Sequence, residues 1–113
     1  MDIHDLYQTA GELHGHLCPG LAIGVRAAAE AQARLGAVAG CTLGHRACWT
    51  DGIRSVLGIK PVIDETDTAV FDFCGADGVA LRLTLRDLPH DGEKSALIEH
   101  ILTAPVDEIF EIC

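Results

Sequence analysis

The chain has few basic residues, few aromatics and no paired-cysteine motif, and each shortage removes a class of function. Lys and Arg together number 8 against 17 Asp and Glu, which leaves a net charge of −9. No run of Lys or Arg stands out along the sequence. Such a chain repels phosphate backbones, so nucleic acid is not an expected partner. An anionic membrane surface is disfavoured on the same ground. There is no C-x-x-C pair, so neither a zinc ribbon nor a thioredoxin-type redox motif is present. The glycines form neither a G-x-x-x-x-G-K-[ST] loop nor a strand-linked G-x-G-x-x-G, so no phosphate loop is expected. No stretch of about 18 uncharged apolar residues occurs, so no membrane span is expected. The opening Met1-Asp2-Ile3-His4-Asp5 lacks the basic and apolar regions of a signal peptide. The expected location is therefore the cytoplasm, where thiols stay reduced. Aromatics are only 4% of the residues, which predicts close packing of small side chains rather than a bulky aromatic core.

What is present is 49% hydrophobic residues in 113, enough for one domain over residues 1–113 with its own core. The five cysteines, Cys18, Cys41, Cys48, Cys74 and Cys113, are odd in number and irregular in spacing. They argue for ligands, nucleophiles or core residues rather than a disulfide framework.

The most informative segment is His14-Gly15-His16-Leu17-Cys18-Pro19-Gly20. Two imidazoles and a thiol alternate directly ahead of a proline. Both side-chain types bind zinc and other transition metals. Residues i, i+2 and i+4 share one face of an extended segment, whereas a helix would turn His16 away. Pro19 pushes Cys18 out of the helical region and is itself at home at the first helical position. The expectation is an extended motif whose three side chains converge, with Cys18 at a helix N-terminus that favours a thiolate. Three ligands call for a fourth, or for water in a catalytic site. Cys48 is the best distant candidate. Asp51 lies three residues further on the same helical face, as a ligand, as a partner orienting a ligating His, or as a general base.

The rest of the chain supplies elements and background. Residues 2–13 show helical spacing, with Asp2 as N-cap and Gly15 as stop. A second helix is expected over 19–36, with Arg26, Glu30 and Arg34 as a solvated charge ladder. Short strands are expected over 41–46 and 59–63, and Thr50 is the expected cap of a helix through Leu57. Residues 68–74 and 79–85 alternate as a hairpin across the turn 75–78. A last helix is expected over 91–103, with a terminal strand over 109–113. This order predicts an α+β fold, a mostly antiparallel sheet packed against helices. Cys41, His45 and Cys48 form an incomplete competing cluster, read as a strand with two inward thiols. Cys74 is expected to pack as a small hydrophobe and Trp49 to join the core. His4, His90 and His100 are read as solvated. The run Asp64-Glu65-Thr66-Asp67 lacks the later carboxylate of a calcium loop and is read as an acidic turn.

The motif, continued by Leu21-Ala22-Ile23-Gly24-Val25-Arg26-Ala27-Ala28, resembles the opening signature of the FmdE family. That family is named for the E subunit linked to molybdenum formylmethanofuran dehydrogenase. Cys48-Trp49-Thr50-Asp51-Gly52-Ile53 is similar to its C-x-x-D-[AG]-I segment. Residues 67–73 and 105–110 resemble its following strand and its closing segment. The resemblance implies an α+β core, often a homodimer, with a metal site built from the His/Cys motif and the second Cys segment. Two departures are visible: the sequence reaches Cys113 without the zinc ribbon that many relatives carry, and Gly58-Ile59-Lys60 replaces a G-C-T stretch. The functional expectation is a metal-binding protein with ligands His14, His16, Cys18 and Cys48, holding zinc or else nickel or iron. It would be a metal-dependent enzyme using Asp51 as proton shuttle, or an accessory of a molybdenum- or tungsten-type oxidoreductase with an unidentified small-molecule or cofactor ligand. The alternatives are a module that delivers a metal or metallocofactor, and a metal-free thiol catalyst using Cys18.

Overall fold

A computed structural model describes residues 2–88 and 92–113. In chain order the elements are α1 (Ile3–His14), α2 (Pro19–Leu35), β1 (Val38–Leu43), α3 (Cys48–Leu57), β2 (Val62–Ile63), β3 (Val70–Gly75), β4 (Ala80–Leu85), α4 (Lys94–Thr103), α5 (Val106–Ile109) and β5 (Phe110–Ile112). The fold is α+β. The sheet runs β2-β1-β3-β4-β5, with β1–β2 parallel and the other three pairs antiparallel. No helix among the described residues is long and apolar enough to cross a membrane.

Helix ends follow local chemistry. The Asp2 carboxylate accepts from the Asp5 amide at 3.0 Å and caps α1. Gly15 ends α1 in the left-handed region at φ 95°, where its amide reaches the Gly11 carbonyl. Pro19 opens α2, and Cys18 before it is extended at φ −156°, ψ 163°. Helix α3 starts three residues earlier than expected: Ala47 is its N-cap and Cys48 its first residue. Thr50 instead sits in the first turn, and its hydroxyl accepts from the Ala47 amide at 3.4 Å. Helix α4 begins at Lys94 behind Glu93; Asp91 and His90 lie outside the described residues. Strand β1 begins at Val38 and is over at Leu43. The remaining residues to Arg46 turn toward α3.

The expected hairpin forms, with Phe71 opposite Leu83 and Phe73 opposite Leu81. All four are buried on the helix side, while Asp72 and Arg82 pair on the other face at 2.7 Å. Cys74 is a correction: it follows the parity of Asp72 onto that outer face and is exposed. Strand β5 pairs outside β4 and forms that edge of the sheet. The low aromatic content conceals an aromatic spine. Trp49, Phe71 and Phe110 meet edge to face with centroids 5.2 and 5.7 Å apart. The expected close packing of small side chains holds for the helices instead. Ala22, Ala27, Ala28 and Ala31 of α2 are buried within the chain. Arg26 leaves the charge ladder and donates to the Ile101 carbonyl at 2.9 Å, tying α4 to α2, while Arg34 and Glu30 pair at 3.1 Å.

Glycines decide how closely α2 and α3 cross. A Cβ at Gly24 would stand 2.6 Å from Trp49 Cα, and one at Gly52 would stand 2.7 Å from the Leu21 carbonyl oxygen. The two backbones are therefore in direct contact. That contact carries the first residue of α3, Cys48, to the N-terminal end of α2.

Candidate metal centre

The site is built where α1 ends, α2 begins and α3 begins. His14 is the last residue of α1, Cys18 caps α2, and Cys48 opens α3. Ligand atoms of His14, His16, Cys18 and Cys48 all lie within 4.8 Å of one another. The expected convergence is present, but by a different route. The motif is not a continuous extended strand. Instead α1 runs through His14, Gly15 reverses the chain in the left-handed region, and Cys18 is extended. The imidazoles of His14 and His16 end with centroids 4.4 Å apart.

The motif is held from both sides. The buried Tyr7 hydroxyl donates to the Cys18 carbonyl at 3.4 Å, and that carbonyl also accepts the Ala22 amide at 3.2 Å. Burial, chiefly, raises the Tyr7 phenol above its ordinary range, with the Cys18 thiol adding to it. On the α3 side a Cβ at Gly20 would stand 3.0 Å from Cys48 Cβ, so glycine lets the start of α2 approach Cys48 closely.

His14 is the most telling residue. Its Nδ1 is 2.8 Å from Asp51 Oδ2, a pair about 15% and 30% exposed. Its Nε2 is buried and has no hydrogen-bond partner among the described residues. A buried imidazole nitrogen without a partner costs free energy unless something outside the protein satisfies it. With Nδ1–H donating to a carboxylate, Nε2 carries the lone pair, which is the arrangement of a metal-ligating histidine. The separations suit a small cation: a tetrahedral zinc site with ordinary bond lengths sets its donor atoms roughly 3.3–3.8 Å apart. A modest contraction of the four residues reaches that range. Cys48 lies against Cys18, and burial, followed by that neighbouring thiol, raises the Cys48 pKa above its ordinary value. A metal held by these residues would favour the thiolate form instead.

Asp51 does not belong to the group of possible ligands; it stands behind His14. Its other oxygen faces Arg54 Nη1 at 3.5 Å. Sequence reasoning did not single out Arg54, although its position three residues after Asp51 on one helix carried the signal. Tyr7 lies within the helical spacing of 2–13, and nothing local in the sequence marks its bond to Cys18.

The competing cluster does not form around Cys48. Cys41 is buried in the sheet face, and burial first and Asp72 second push its thiol up to about 12. His45 packs edge-on against Trp49 at 4.9 Å, and its carbonyl accepts the indole N–H at 3.1 Å. A raised thiol pKa makes the folded chain keep a proton that the unfolded chain has lost. Cys41 therefore costs stability only as pH rises above its ordinary value of 9.0 toward about 12. Urea unfolding at stepped pH is expected to show wild type weakening over that alkaline window and Cys41→Ala weakening less. Identical pH slopes would contradict the burial of this thiol.

His4 is exposed and pairs with Glu99 at 2.9 Å. The acidic run 64–67 is an exposed turn, with Glu65 and Asp67 at positive φ.

A three-helix junction that gathers two imidazoles and two thiols beside an α+β sheet defines a class of small proteins with a Cys/His site. The family described as "FmdE, Molybdenum formylmethanofuran dehydrogenase operon" matches residues 13–111. The chain belongs to the FmdE family. No curated protein matches it.

Proposed function

We propose that this chain binds one transition-metal ion through His14, His16, Cys18 and Cys48 and serves, as a cytoplasmic protein, a molybdenum- or tungsten-type oxidoreductase system. The observation that carries the reading is the buried, unpartnered Nε2 of His14 within a set of donors less than 4.8 Å apart. Two thiols and two imidazoles suit zinc first, and nickel or iron next. Bound there, the metal would supply Lewis acidity toward a carbonyl or a water. The family's operon link supports the oxidoreductase connection. The homodimer implied by the family resemblance belongs to this proposal, and the mass in solution tests it.

The chain's own residues divide the work. Asp51 fixes the His14 tautomer and ring plane, and is a positioning residue that also stands where a proton can be passed on. The Cys18 backbone is held at its carbonyl and by the Pro19 that follows. His16 is exposed, and an exposed ligand is the one most readily exchanged. That observation favours metal or metallocofactor delivery as the second reading over a fully buried structural site. Cys18 acting as a metal-free nucleophile is the third, and it requires a protein that takes up no metal.

Purified protein is expected to hold one equivalent of metal by elemental analysis. Asp51→Ala leaves all four ligands and removes only the carboxylate on Nδ1. It is expected to weaken zinc affinity about 10–100-fold, read by competition with a chromophoric chelator. Unchanged affinity in this variant would remove Asp51 from the site, and zero metal in wild type would remove the metal reading.

A further inference from the structure

Eight basic residues in a chain of net charge −9 are few enough to follow one by one. Arg26 and Arg86 donate to the backbone carbonyls of Ile101 and Asp107. Arg34 pairs with Glu30 and Arg82 with Asp72. Lys94 opens α4. The other three, Arg46, Arg54 and Lys60, come from a loop, a helix and the segment after it, and they line one cavity of about 240 Å³. Among the described residues neither Arg46 nor Lys60 has an ion-pair partner. The cavity has one carboxylate in its wall, Asp51, and that group already serves His14 with one oxygen and faces Arg54 with the other. Three cations around a single, already committed carboxylate repel one another, and an acidic protein gains nothing in solubility from gathering them.

We propose that this cavity is an anion subsite that takes the carboxylate or phosphate group of a small organic substrate. Arg46, Arg54 and Lys60 supply charge-assisted hydrogen bonds, the Thr50 hydroxyl adds a neutral donor, and the buried Pro61 forms an apolar wall. The volume lies below the range of roughly 300–1,000 Å³ typical of drug-sized ligands. It suits an anionic group of few atoms and not a nucleotide. Asp51 lines the cavity and orients His14, so an anion held here places the rest of its molecule beside the metal centre. That last placement rests on the proposed function; anion binding itself does not.

Backbone amide NMR titrations of metal-free and zinc-treated protein test it, with acetate and with inorganic phosphate, at ionic strength held constant by chloride. Saturable shifts confined to amides within 46–54 and 60–63 are expected in both preparations. The tighter of the two probes tells carboxylate from phosphate ester. The double variant Arg46→Gln/Lys60→Gln is expected to bind at least about tenfold more weakly, with the thermal midpoint and zinc content of wild type. Linear, scattered shifts, or equal affinity in the double variant, would overturn the subsite. Saturable binding in a protein that takes up no zinc supports the subsite and overturns the metal reading instead.

Discussion

Cys48→Ala is expected to weaken zinc binding by a factor of about a hundred or more and to leave the fold in place. Structural zinc sites contribute roughly 10–16 kcal/mol from four ligands, so one ligand accounts for about 3 kcal/mol. The thiol is partly exposed at the first position of α3, where alanine is a good helix residue. Circular dichroism should therefore match wild type while competition titration shows the weakened site. Cys41→Ala is the matched control, since that thiol is buried in the sheet and outside the cluster. Equal zinc affinity in Cys48→Ala and wild type would show that α3 contributes no ligand, and the four-residue site would fall.

The largest effect on stability is expected from Gly52→Ala and Gly24→Ala. Alanine is worth about 1 kcal/mol more than glycine in a helix interior, so a free surface would gain from either change. Here the new methyl would stand 2.7 Å from the Leu21 carbonyl oxygen at Gly52, or 2.6 Å from Trp49 Cα at Gly24. The obstructing atoms are backbone and have no rotamer in which to retreat, so α2 and α3 must separate. Overpacking of this kind costs about 3 kcal/mol, measured as a lower urea midpoint. The double variant should cost less than the sum, because one separation accommodates both methyls. Metal affinity should fall with stability, since the same crossing sets the distance from Cys18 to Cys48. A neutral Gly52→Ala would mean that the helices do not touch there.

Much of the fold was legible in local pattern. Alternation in residues 68–74 and 79–85 determined a hairpin and its inward face, because the strand period of two admits no other burial once Phe71 and Leu83 are inside. Pro19 and Gly15 marked helix boundaries through their own backbone preferences. Cys74 was misplaced for a reason visible in that same alternation: it shares Asp72's parity, and its apolar character does not outweigh register. The α3 start was misplaced because Thr50, a strong capping type, satisfies the Ala47 amide from within the first turn.

For the candidate site, the sequence by itself determined the donor types, the extended geometry of Cys18 and the helix it caps, since these depend on neighbours along the chain. It also placed Asp51 within reach of several roles and left them open. The tertiary structure alone decided which nitrogen of His14 is engaged and which stands unpartnered, and that Asp51 lies behind the imidazole. It alone assembled Arg46, Arg54 and Lys60, which never form a run in the sequence, around one cavity. Those arrangements arise where α1, α2 and α3 meet at the Gly24–Gly52 crossing, along the segment that leaves α3, and in the turn at Gly15. They depend on packing between segments distant in the chain, which no local spacing encodes.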